Sequence, residues 1–166
     1  MKLFVLPLTF LSLLSVASAD ALHDQINSVD ASVSAALAHK DMDAFTKILK
    51  PLVTPTFTYS EPGQKPMGFD LMVSTMKKGL AGIGTIKFAE AKLLSIKPTG
   101  STMTALSTHK MIWLSPGKDK KSHTFDYALL STDVYQKVGG TWKLGSMTMR
   151  VLKFTVDGRS VDPSKM

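Results

Sequence analysis

The chain has 166 residues, 44% hydrophobic and 20% charged, which suits one folded domain and excludes wholesale disorder. It contains no cysteine, which excludes disulfides, a lipid-anchored thiol, thiolate zinc sites and cysteine catalysis. The formal charge of +7 at pH 7 comes mostly from scattered lysines.

The N-terminus reads as a secretory leader. Lys2 is a minimal positive region, Leu3 to Val16 is an apolar run, and Ala17-Ser18-Ala19 offers small residues for cleavage. The run is too short for a comfortable membrane span of ~20 residues. The expected division is a signal peptide over 1–19 and a domain over 20–166, secreted or periplasmic, with no integral membrane segment after cleavage. Only Lys2 is lost with the leader, so the exported domain keeps a charge of +6. Export makes nucleic acid an unexpected partner.

Leu22, Ile26, Val29, Val33 and Leu37 recur at three- and four-residue steps, the stripe of an amphipathic helix. Asp41 is placed to cap a second short helix carrying Met42, Phe45 and Leu49, which Lys50-Pro51 stops. Thr54 to Tyr59 is β-branched and aromatic, hence a strand. Pro62-Gly63 and Pro66 mark a loop before a third helix with Phe69, Met72 and Met76, closed by Gly79, Gly82 and Gly84. Four long strands follow, over about 85–96, 102–114, 122–137 and 141–156. Pro98-Thr99-Gly100, Pro116-Gly117 and Gly139-Gly140 separate them as hairpins. Lys118-Asp119-Lys120-Lys121 reads as a solvated hairpin tip. This order is α+β: helices packed on a curved antiparallel sheet, enclosing a cone whose open end suits a small molecule.

Ala35 to Phe45, Phe57 to Pro62, Thr132 to Tyr135 and Gly140 to Leu144, in that order along the chain, resemble pieces of the NTF2-like superfamily, in particular its SnoaL-like, DUF4440-type members. Ala35 to Phe45, with His39-Lys40-Asp41-Met42-Asp43, resembles the helix, acidic turn and second helix that open those domains. Phe57-Thr58-Tyr59-Ser60-Glu61-Pro62 resembles their first strand and the acidic-Pro step after it. Thr132-Asp133-Val134-Tyr135, then Gly140-Thr141-Trp142-Lys143-Leu144, resembles their late hairpin. The resemblance implies a cystatin-like cone. The family holds isomerases, dehydratases, cyclases and non-catalytic binding domains, so fold alone does not name an activity.

Ketosteroid-isomerase chemistry needs a carboxylate base, plus a tyrosine and a protonated Asp as oxyanion donors. By resemblance Glu61 falls at the base and Asp133 at the oxyanion acid. Val33 stands where the tyrosine would be and has no hydroxyl. The competing readings are a solvated Glu61 and an Asp133 paired to Arg150 or to a backbone amide. Strand alternation puts Ser107, His109, Met111 and Trp113 on one face, and Met147 and Met149 on one face of the last strand. Tyr59, His109, Met111, Tyr135, Met147 and Met149 are the candidate pocket, if those faces are concave. Thioethers suit Cu(I), but methionine also fills irregular cores, and no histidine pair has ligand spacing; no metal and no cofactor are expected. His123 sits near the basic hairpin and is expected to be exposed. Trp142 is expected to anchor the last hairpin against the helices.

The leading expectation is an exported domain binding a small, largely apolar ligand in its cone. The alternatives are an isomerase or lyase using Asp133 and Glu61, and a homodimerising interaction module.

Overall fold

The computed structural model describes residues 9–162 except Lys118, with side chains from Ala19 onward. The first eight residues of the expected leader therefore lie outside the described residues. The elements are α1 (Thr9–Ala38), α2 (Met42–Leu49), a 3-10 turn (Lys50–Leu52), β1 (Val53–Ser60), α3 (Phe69–Gly82), β2 (Thr85–Thr99), β3 (Thr102–Pro116), β4 (Ser122–Val138), β5 (Thr141–Val156) and β6 (Arg159–Ser160).

The turn between α1 and α2 closes one helix and opens the next. Asp41 N–H donates to Ala36 O at 2.8 Å and Lys40 N–H to Leu37 O at 2.9 Å, so the last carbonyls of α1 are satisfied. Lys40 holds the left-handed conformation there, with φ of 55°. The Asp41 carboxylate accepts Ala44 N–H at 2.8 Å and caps α2. Gly79 and Gly82 lie within α3 rather than beyond it; only Gly84 stands outside. A Cβ on Gly84 would sit 2.0 Å from Leu114 O, so only glycine lets the chain enter β2 here.

The sheet order is β1-β5-β4-β3-β2, with β6 beside β5. The β2–β5 pairs are antiparallel hairpins, while β1 joins the edge of β5 in parallel. Bulges interrupt the register at Leu93/Ser95 between β2 and β3, and at Ala128/Leu129 and Val134/Tyr135 between β4 and β5. Bulges bend strands and add twist, and here they curl strands of 15–17 residues around the helices.

Two buried clusters fill the cone. One joins Met42, Phe45, Phe57, Phe69, Met72 and Leu144 beneath α2 and α3. The other joins Leu22, Ile26, Met103, Ala105 and Trp142 at the opposite end. Leu22 is fully buried, which is worth roughly 1.5–3 kcal/mol. Trp142 packs on α1, and Gln25 Nε2 donates to Trp142 O at 3.1 Å.

The register corrects one expectation. Asp133 lies opposite Met147 on β5, while Arg150 lies opposite Leu130. Successive side chains of a strand point to opposite faces, so Arg150 is turned away from Asp133 and they form no ladder pair. Among the described residues no helix is long and apolar enough to cross a membrane.

Candidate functional site

The concave face follows from the register. Across it, Ala105 of β3 faces Asp133 of β4, which faces Met147 of β5, which faces Tyr59 of β1. One step along, Ser107 faces Ser131, which faces Met149. His109 is the next residue of that face on β3, between Ala91 and Leu129, and Met111 follows it. Tyr135 lies on the other side of Asp133, opposite Met103 and Leu144. Helix α1 covers the middle of this face: Ile26 packs in the cluster that contains Ala105, the cross-strand neighbour of Asp133. Asp30 is one helical turn further on.

These placements create a buried polar line. Asp133 is 3% exposed. Its Oδ2 accepts the Ser131 hydroxyl at 3.0 Å, and Ser131 Oγ lies 2.9 Å from His109 Nε2. A serine hydroxyl has one proton. When Ser131 gives it to ionised Asp133, it accepts from His109 Nε2–H. When Asp133 is protonated, the chain can reverse, with Asp133 donating to Ser131 and Ser131 to Nε2. Among the described residues, Asp133 Oδ1 and Asp30 Oδ2 are buried without a hydrogen-bond partner.

Burial pushes the Asp133 carboxyl up to about 7; the Ser131 bond opposes this and the Asp30 charge adds to it. Burial raises Asp30 to about 6. The same loss of water lowers His109 to about 4, which leaves it neutral near pH 7. Tyr135 is raised by burial and then by the charges of Asp133 and Asp30. Asp30 and Tyr135 line a narrow cleft of about 20 Å³ with Ile26, Val29, Leu49 and Leu144, room for one water.

Glu61 takes a different place. It follows β1, is half-buried, and accepts the Tyr59 hydroxyl and Gln64 Nε2, the latter at 3.0 Å. Its charge acts on Tyr59 and Tyr127. The carboxyl that acts on Asp133 is Asp30. Tyr59, Met111, Tyr135, Met147 and Met149 all pack on the larger core cluster. Among the described residues no group of three or more His, Asp or Glu is arranged to hold a metal ion.

Sequence reasoning missed Asp30 and Ser131. Asp30 sits four residues after Ile26, on the flank of the apolar stripe, where an acid is out of pattern. Ser131 shares a strand face with Asp133 by two-residue alternation, which was a usable signal.

No family profile matches the chain, and no curated protein sequence matches it. Solved structures do. A hexachlorocyclohexane dehydrochlorinase, LinA type 2, superposes with a TM-score of 0.61 at 9% identity, over 88% of this chain and 96% of that one. A candidate dehydratase of the NTF2-like family from Streptomyces avermitilis gives 0.59 at 15% identity, over 80% and 98%. A ketosteroid isomerase-like protein from Erwinia carotovora atroseptica gives 0.54 at 10%, over 76% and 93%. At these identities the likeness shows the fold alone. The chain has the NTF2-like α+β fold.

Proposed function

We propose that the cone opens at α1, which covers Asp133 here, to admit a small, largely apolar molecule, and that Asp133 moves a proton on it, in an elimination or an isomerisation. The observation that carries this reading is a buried carboxyl with one oxygen held by Ser131 and the other unpartnered beside a second acid. A carboxyl near 7 exchanges protons with little penalty at neutral pH. In this reading Asp133 Oδ1 takes a proton from a substrate carbon. The C–H electron pair forms a double bond, and either a leaving group departs or the proton returns to another carbon. Ser131 fixes the carboxyl, His109 fixes Ser131, and Asp30 rather than Glu61 is the second carboxyl. The neighbours named as dehydrochlorinase, dehydratase and ketosteroid isomerase-like support this class of chemistry.

The protein is further proposed to act after export, on the leader pattern of Lys2 to Ala19. The test is a panel of apolar enones, β-hydroxy carbonyls and haloalkanes in deuterated water, followed by NMR. Deuterium uptake or elimination that disappears in Asp133→Asn is the expected result. No turnover, together with an Asp133 carboxyl that titrates in the ordinary aspartate range, would overturn the reading.

A homodimer is the second reading. Phe88, Leu94 and Leu152 are 39%, 49% and 51% exposed on the sheet strands β2 and β5. A native mass spectrum reports both oligomeric state and any retained small molecule; a strictly monomeric protein ends the dimer reading.

A further inference from the structure

A second cluster of acids and histidine lies at the far end of the sheet, away from the buried line. His123 opens β4, opposite Ser115 at the end of β3. Its Nε2 lies 2.9 Å from Asp119 Oδ1, and its Nδ1 lies 2.6 Å from Asp157 Oδ2. Asp119 belongs to the turn between β3 and β4, and Asp157 to the turn between β5 and β6. One imidazole therefore spans two turns that are 38 residues apart in sequence.

Each end of this contact is locally built. Asp119 Oδ1 also accepts Lys121 N–H at 3.0 Å. Asp157 Oδ1 accepts Thr124 N–H at 2.8 Å, while Asp157 N–H donates to Thr124 O at 2.8 Å. Asp157 holds φ of 49°, a left-handed conformation that an Asp tolerates. A Cβ on Gly117 would sit 2.6 Å from the His123 ring, so the turn lies directly against it. Trp113 stacks on Phe125 at 5.2 Å and meets Phe154 at 6.2 Å, two and three residues inside this end of the sheet.

We propose that Asp119, His123 and Asp157 form a proton-operated latch that joins the β3–β4 turn to the β5–β6 turn and holds this end of the sheet closed. Both carboxylates only accept hydrogen bonds, so both ring nitrogens must donate, and that requires the imidazolium. Loss of its proton turns one contact into a lone pair facing a carboxylate. The charged groups around the ring agree: Asp119 and Asp157 face it, Arg159 acts on Asp157, and Lys120 and Lys121 follow Asp119 in the turn. The bonds to Asp157 and Asp119 raise His123 above the ordinary imidazole value. The partners fall below the ordinary carboxylate value: Asp119 mainly through its bond to His123, Asp157 mainly through the Thr124 amide and then His123. The latch contribution is thus complete between the ordinary carboxylate value and the ordinary imidazole value. It is lost as pH rises through the raised His123 value, and again as pH falls through the lowered carboxylate values.

The test is NMR on the purified protein between about pH 5 and 8. It follows the His123 ring and the hydrogen exchange of the Thr124 and Lys121 amides, corrected for intrinsic rates. The expected result is a His123 titration above that of a model histidine peptide. Amide protection should drop roughly tenfold through the same midpoint. His123→Asn should make the protection flat with pH, and Asp157→Asn should move the His123 midpoint down. A His123 midpoint at or below the peptide value, or wild-type protection that ignores it, would overturn the latch.

Discussion

The buried line on the concave face and the latch at the sheet end use the same two residue types and reach opposite electrostatic states. In the line, Asp30 and Asp133 rise and His109 falls, because the loss of water penalises every charge. In the latch, Asp119 and Asp157 fall and His123 rises, because water remains and each charge has an opposite partner. The difference lies in which partners the fold supplies. His109 has a neutral serine between it and Asp133, whereas His123 touches its carboxylates directly. The first arrangement keeps a proton available near neutrality, and the second holds two turns together with it.

The largest expected effect breaks the buried side of this comparison. Asp133 holds its proton up to about 7 in the native state but only to 3.8 when unfolded, so stability falls as pH rises through that window. The full change is on the order of 4 kcal/mol. Urea unfolding of Asp133→Asn at acid and mildly alkaline pH should show that slope gone; an unchanged slope means Asp133 ionises freely. Ser131→Ala should cost about 1–3 kcal/mol, since it strips a bond from both Asp133 and His109. It should also raise the Asp133 titration further, readable by carbon NMR of the carboxyl, while Ser131→Thr should restore both. His109→Gln tests an opposing slope. Between about 4 and 6.5 the unfolded chain binds a proton that native His109 refuses, so His109 makes stability rise with pH. Removing it should steepen the decline that Asp133 imposes, in the same urea series. Asp30→Asn is a finer probe: without the Asp30 charge the Asp133 titration should move down, and an unmoved titration would separate the two acids. The smallest global effect belongs to the latch, whose substitutions should shift local exchange and leave the urea midpoint close to wild type.

Much of the fold was legible because its signals are local. The stripe from Leu22 to Leu37 specified that stretch of α1, whose earlier turns from Thr9 fall in the segment read as a leader; Asp41 specified the start of α2, and Pro98 to Gly100, Pro116-Gly117 and Gly139-Gly140 the ends of the long strands. Alternation alone puts His109 and Met111 on one face, and Met147 and Met149 on one face. The parallel docking of β1 on β5 was not legible, since strand pairing depends on partners nearly a hundred residues apart. The bulges at Ala128/Leu129 and Val134/Tyr135 likewise belong to the pairing of two strands, not to either one.

The sequence by itself determined the three helices and the strands β1 to β5, their order, and the identity of Asp133 as a residue to watch. Only the tertiary structure decided which acids meet. It turned Arg150 away from Asp133, left Glu61 with Tyr59, brought Asp30 from α1 to the buried carboxyl, and set His123 between two distant aspartates. The physical reason is that local propensity acts within a few residues. A side chain's charge state depends on desolvation and on neighbours that the register and the helix packing supply.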